Sequence, residues 1–138
     1  MSEEKINSSR APEPVGLYPH ARRVGNLLFL SGVGPRERGS KKIPGVEQDA
    51  TGKIISYDIA EQCRSVFQNI KYILEDAGSS WDKIIDVTVF LTNMKDDFPI
   101  YNEIYAEHFK DNLPCRTTIE INCLPTPIAI ELKVIATI

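Results

Sequence analysis

The sequence predicts a small α+β domain, a mixed β-sheet with two helices on one face. Three observations predict it. The chain has 138 residues, 42% hydrophobic and 25% charged, an ordinary globular composition at the size of one domain. Two segments repeat apolar residues at the helical period, and several shorter ones are β-rich and bounded by turn residues. A chain this long buries roughly two-thirds of the surface that its unfolded form exposes, enough for a real core. A single domain over 1–138 is expected, with no internal repeat and no linker.

Each element follows from local chemistry. Residues 1–15 are polar and contain Pro12 and Pro14, and read as a loosely held arm. Arg22–Val24 and Leu27–Ser31 flank Gly25-Asn26, two residues that accept positive φ, and so read as a hairpin. Glu37–Gly52, rich in Gly, Lys, Pro and charge, reads as an exposed loop, and Lys53–Ser56 as a short strand. From Asp58 to Ala77 the residues Ile59, Cys63, Val66, Phe67, Ile70, Ile73 and Leu74 make one apolar stripe. Asp58 can cap the start of that helix, and Gly78 suits the left-handed turn after its end. Ile84–Leu91 is a strand with two buried-looking faces. A second helix carries Pro99 in its first turn and runs to about Phe109. Two strands follow, at about Arg116–Ile121 and Ile128–Thr137.

Side chains alternate along these last strands. Thr117, Ile119 and Ile121 share one face of the first, and Ile128, Ile130, Leu132 and Val134 one face of the second. Both sets are expected under the helices. The opposite face would then mix Arg116, Thr118, Glu120, Glu131 and Lys133 with Ala129 and Ile135. Either it is a solvated sheet face, normal for antiparallel sheets, or it is a subunit interface with a polar pocket.

Bulk chemistry narrows the function. The net charge of −3, from 16 Lys and Arg against 19 Asp and Glu, gives no general attraction to nucleic acid or anionic membrane. Three scattered cysteines, Cys63, Cys115 and Cys123, and two histidines, His20 and His108, make neither a disulfide framework nor a metal site at ligand spacing. No apolar run is long enough to span a bilayer, and the Met-Ser-Glu-Glu-Lys start is not of signal-peptide type. A reduced, cytoplasmic protein is expected.

Tyr18, Ser31-Gly32, Asn102, the block Pro114-Cys115-Arg116-Thr117-Thr118-Ile119-Glu120, Leu124-Pro125 and Ile130-Glu131-Leu132 resemble the Rid (YjgF-like) reactive intermediate deaminases. The resemblance runs from about Pro12 to the last residue, and the Arg-x-x-x-Glu-x-x-x-Leu-Pro spacing is its most specific part. Tyr18-Pro19-His20-Ala21-Arg22-Arg23, Ser31-Gly32-Val33-Gly34-Pro35-Arg36 and the run from Leu124 to Glu131 look like the 2-aminomuconate deaminase branch. The resemblance implies a chorismate-mutase-like homotrimer with a central β-barrel, helices outside and pockets at the subunit clefts. It implies hydrolysis of an enamine or imine to a keto compound and ammonia, without metal or organic cofactor. Some relatives are described instead as translation-inhibiting ribonucleases, and a non-catalytic ligand sensor would need the same cleft.

Residue by residue, the resemblance makes Arg116 the carboxylate anchor. A guanidinium is planar, always charged and binds carboxylate bidentately. The alternative is a salt bridge to Glu120 or Glu131. Glu131 matches the glutamate thought to hold or activate water, against simple pairing with Lys133. Tyr18, Ser31, Gly32, Asn102 and Thr118 are candidate substrate contacts. Thr118 stands where many relatives carry cysteine, which weakens any thiol mechanism. Cys115 reads as a small packing residue. Aminomuconate carries two carboxylates, and His20, Arg22, Arg23 and Arg36 are the candidates for the second, because an unpaired buried carboxylate is costly. The sequence does not choose among them. The loop Glu37–Gln48 either covers the pocket or decorates its rim.

Overall fold

The computed structural model describes residues 3–138. Its strands are β1 (Glu3–Ile6), β2 (Ala21–Val24), β3 (Leu27–Leu30), β4 (Val46–Gln48), β5 (Ile54–Tyr57), β6 (Ile84–Leu91), β7 (Cys115–Glu120) and β8 (Ile130–Thr137). Its two α-helices are α1 (Ile59–Asp76) and α2 (Met94–Phe109). Six strands form one sheet in the order β1-β2-β3-β8-β6-β7, and β4 and β5 form a separate two-stranded ribbon. All pairs are antiparallel except β6 with β7. Parallel neighbours need a crossover, and α2 supplies it.

The stripe on α1 forms as the spacing predicts. Ile59, Cys63, Val66, Phe67, Ile70, Ile73 and Leu74 are buried, and Asp58 accepts the N–H of Glu61 at the helix start. Each such side chain contributes about 1.5–3 kcal/mol by leaving water. Gly78 takes φ +82°, and Gly25 turns the β2–β3 hairpin at φ +61°. Under the two helices lie Leu28, Leu30, Val87, Val89, Leu91, Ile130, Leu132 and Val134.

Four expectations change. The first fifteen residues are not a loose arm where they are described. β1 adds an edge strand to β2, and Ser8 and Ala11 are buried. Ser8 donates to Asp76 at 2.6 Å, Arg10 pairs with the same carboxylate at 2.6 Å, and Arg38 donates to the carbonyls of Ala11 and Ser8. Composition read as polarity what tertiary partners use as hydrogen bonds. Second, α2 starts at Met94, because Asn93 accepts the N–H of Asp96 at 3.1 Å, so Pro99 lies inside the helix. Third, the expected loop contains β4, and Ile43 and Val46 close a small second core with Ile128. The fourth concerns the faces of β7. Its parallel register sets Arg116 beside Val87, Thr118 beside Val89 and Glu120 beside Leu91, and those β6 residues point into the core. Arg116, Thr118 and Glu120 therefore face the helix layer, while Thr117 and Ile119 lie on the open side. On β8 the faces are as expected. β6 has one fully buried face only, since Ile85 is 44% exposed.

Candidate functional site

On the open side of the sheet, Glu131 projects from β8 towards the turn that follows β3. A methyl group built on Gly32 would lie 2.6 Å from Glu131 Oε2, so the carboxyl occupies the space that a side chain there would fill. Tyr18, Ser31, Gly32, Gly34, Arg36 and Glu131 line one cavity of about 380 Å³, with Pro125, Thr126 and Ile128 also in its wall. Ser31 is oriented by its Oγ donating to the Pro19 carbonyl at 2.8 Å, and Tyr18 by its hydroxyl accepting the Val15 N–H at 3.1 Å. The Glu131 carboxyl makes no hydrogen bond or ion pair among the described residues. Burial raises its pKa, and the charge of Arg36 acts against that rise. A half-buried carboxyl with a raised pKa in a cleft is suited to exchanging protons. Lys133 does not neutralise it. The Lys133 ammonium donates to the Leu30 carbonyl, and burial lowers its pKa.

Arg116 lies elsewhere. It stands on the edge strand β7, two strands from β8 and on the opposite face of the sheet. Its Nη1 donates to Asn102 Oδ1 of α2 at 2.8 Å. Its guanidinium sits 4.7 Å from the ring centre of Tyr105, 5.6 Å from Tyr101 and 5.8 Å from Phe98. The alternative salt bridges to Glu120 and Glu131 do not form, and Glu120 instead accepts the N–H of Met94 at 2.9 Å. Beneath Arg116, the Thr118, Tyr101 and Tyr105 hydroxyls are buried without hydrogen-bond partners among the described residues. Burial pushes the Tyr101 hydroxyl up to about 12. Cys115 is exposed rather than packed.

The structure thus gathers Tyr18, Ser31, Gly32 and Glu131 at one place, and Asn102, Arg116 and Thr118 at another. It also sorts the cations. His20 is 6% exposed and leaves the second-carboxylate set, because its ring is spent on the arm. Nδ1 accepts the Ser8 N–H at 2.8 Å and Nε2 donates to the Pro12 carbonyl at 2.7 Å. Arg22 and Arg23 belong to β2 and do not line the cavity. Arg23 donates to the Gly25 carbonyl at 3.0 Å, at the hairpin end. Arg36 lines the cavity. The loop from Glu37 does not line it. Sequence reasoning passed over Gly34, Thr126 and Ile128 as lining residues. The Leu124-Pro125-Thr126-Pro127 run carried the signal, since two prolines in a short polar turn fix a wall.

A small α+β protein with an acid–base group in a cleft and an arginine fixed on a free sheet edge is the class that these features define. The chain belongs to the Rid (YjgF-like) family: the family model described as Endoribonuclease L-PSP matches residues 8–138. A RutC family protein of Pyrococcus abyssi is 38% identical over 136 residues, covering 99% of this chain and 98% of the relative. Reactive Intermediate Deaminase A, chloroplastic, of Arabidopsis thaliana is 33% identical over 138 residues, covering 100% of this chain and 67% of the relative. The crystal structure of E. coli TdcF with bound serine superposes at a TM-score of 0.83 with 30% identity, covering 98% of each chain. An imine deaminase is supported at the level of the family. Among the described residues no helix is long and apolar enough to cross a membrane.

Proposed function

We propose that the protein is a hydrolytic enamine/imine deaminase acting on a small carboxylate-bearing substrate, and that 2-aminomuconate is that substrate. The observation that carries this reading is Glu131, a half-buried carboxyl with a raised pKa, set against Gly32 and unpaired among the described residues. An enamine first tautomerises to the imine. Water held by Glu131 then attacks the imine carbon and gives its proton to the carboxylate. The carbinolamine takes a proton on nitrogen and expels ammonia, leaving the ketone. Arg116 holds the substrate carboxylate, which fixes the reacting carbon relative to that water.

Both charges cannot serve one substrate within one chain, since they face opposite sides of the sheet. The complete site therefore lies between copies, where the β7 edge of one meets the Glu131 cavity of the next. The state of β7 supports this reading. It is a six-residue edge strand, and Ile119 on its open side is 39% exposed. Unpaired edges of that length are usually covered. An edge meeting a pocket is a heterologous contact, and three such contacts close a ring. Light scattering should report a trimer, and a stable monomer at micromolar concentration would end this reading. Freshly generated 2-aminomuconate should release stoichiometric ammonia while RNA in a nuclease-free preparation stays intact. RNA cleavage without ammonia release would favour the ribonuclease described for some relatives, and binding without turnover would mark a sensor.

A further inference from the structure

We propose that Arg36 selects substrates with a second acidic group, so that the cleft prefers dicarboxylic over monocarboxylic imines. The chemistry rests on the deaminase reading, but the binding preference can be measured without turnover. Arg36 is the one candidate cation that lines the Glu131 cavity among the described residues. Its backbone is built in. Asn69, 4% exposed, donates from Nδ2 to the carbonyls of Gly34 at 2.9 Å and Arg36 at 2.7 Å, and Ser65 donates to the Pro35 carbonyl at 2.7 Å. Both anchors stand on α1, so the residue is fixed to the most regular element of the fold.

The guanidinium, in contrast, is largely unspent. Nη2 donates to the Glu13 carbonyl at 2.9 Å, and no acid pairs with Arg36 among the described residues. Most of its five N–H donors stay available. Arg38, two residues on, shows the other condition. It is consumed by the carbonyls of Ala11 at 2.7 Å and Ser8 at 2.9 Å and by the Glu13 carboxylate at 3.2 Å. A guanidinium with a fixed base and open donors matches a carboxylate bidentately. With Arg116 holding the carboxylate beside the reacting carbon, Arg36 meets an acid at the distal end.

The test is calorimetric titration of the assembled protein with trans,trans-muconate and with sorbate, which share a diene skeleton but carry two carboxylates and one. The wild type should bind muconate about tenfold or more tightly than sorbate, the scale of one charge-assisted contact. Arg36→Gln should abolish most of that preference while leaving sorbate nearly unchanged, and Arg36→Lys should keep part of it. Three results would overturn the proposal: equal affinities in the wild type, equal loss of both ligands in Arg36→Gln, or no binding of either ligand by the wild type. Ammonia release is read separately. Its absence ends the deaminase reading and leaves the two-ligand comparison decisive for Arg36.

Discussion

Glu131 and Arg116 carry the two charges of the proposed chemistry, and the molecule holds them in opposite ways. Glu131 stands on the central strand β8, drawn partly out of water and left without a bonded partner among the described residues, so its proton is held above the ordinary glutamate range. Arg116 stands on the edge strand β7, exposed yet held, with Asn102 on one nitrogen and its guanidinium carbon over the rings of Phe98, Tyr101 and Tyr105. Contact with ring faces is attractive to a cation and uses none of its N–H donors. The difference teaches what each part of a sheet can do. A central strand can desolvate a group and change its proton affinity. An edge strand leaves charge intact and offers it outward.

The sharpest way to break this comparison is to remove one member. Arg116→Ala should lower kcat/KM by more than about a hundredfold, and Arg116→Lys by about a hundredfold, because the ammonium keeps charge but loses the planar fork. Assembly should be unchanged in both. Retention of wild-type turnover by an assembled Arg116→Ala protein would remove Arg116 from the mechanism. Mixing then sharpens the point. If each site takes Arg116 and Glu131 from different copies, randomly reassembled Arg116→Ala and Glu131→Gln chains should regain about a quarter of wild-type activity, since one cleft in four receives both intact groups. Steady-state rates after co-refolding measure this, and no recovery would return both residues to one chain.

Glu131→Gln should reduce kcat by about a hundredfold with little change in KM, since the amide still holds water but cannot accept its proton. In the wild type, the acid limb of the kcat profile should lie above the ordinary glutamate range. Stability should move the other way. A carboxyl whose folded pKa is raised contributes stability below its unfolded pKa and loses it as pH rises through the folded value. Glu131→Gln should therefore match or exceed the wild-type Tm at neutral pH, with the advantage vanishing in acid. A lower Tm at neutral pH would mean that the carboxylate has a stabilising partner.

Gly32→Ala is a smaller perturbation of the same cavity. Its methyl would fall 2.6 Å from Glu131 Oε2 and must push the carboxylate aside, so kcat should drop roughly tenfold with the fold intact. Smallest is Tyr105→Leu, which removes the ring nearest Arg116. A loss of about three- to fivefold in kcat/KM is expected, the scale of one exposed cation–π contact. Tyr105→Phe should behave as wild type, because the ring face rather than the hydroxyl does the holding. Equal losses in the two variants would assign the effect to the hydroxyl.

What the sequence determined by itself was local. The α1 stripe, the Asp58 cap and the Gly25-Asn26 turn each follow from residues within one or two turns of chain, and all three form as read. The core face of β8 was legible too, because Ile130, Leu132 and Val134 are uniformly apolar whereas the alternate set carries Glu131 and Lys133. β7 defeated the same logic. Arg116, Thr118 and Glu120 look like an outward face, yet α2 lays aromatic rings over the first and offers an N–H to the last. Alternation separates two faces of a strand but does not say which one the helices cover. That depends on the register with β6, a long-range choice. His20 was hidden for a similar reason, since its partners lie eight and twelve residues away in a segment whose composition reads as loose. Only the tertiary structure decided that Glu131 and Arg116 face apart and that Arg36 keeps open donors, because sheet order and pairing partners come from contacts between segments that no local pattern encodes.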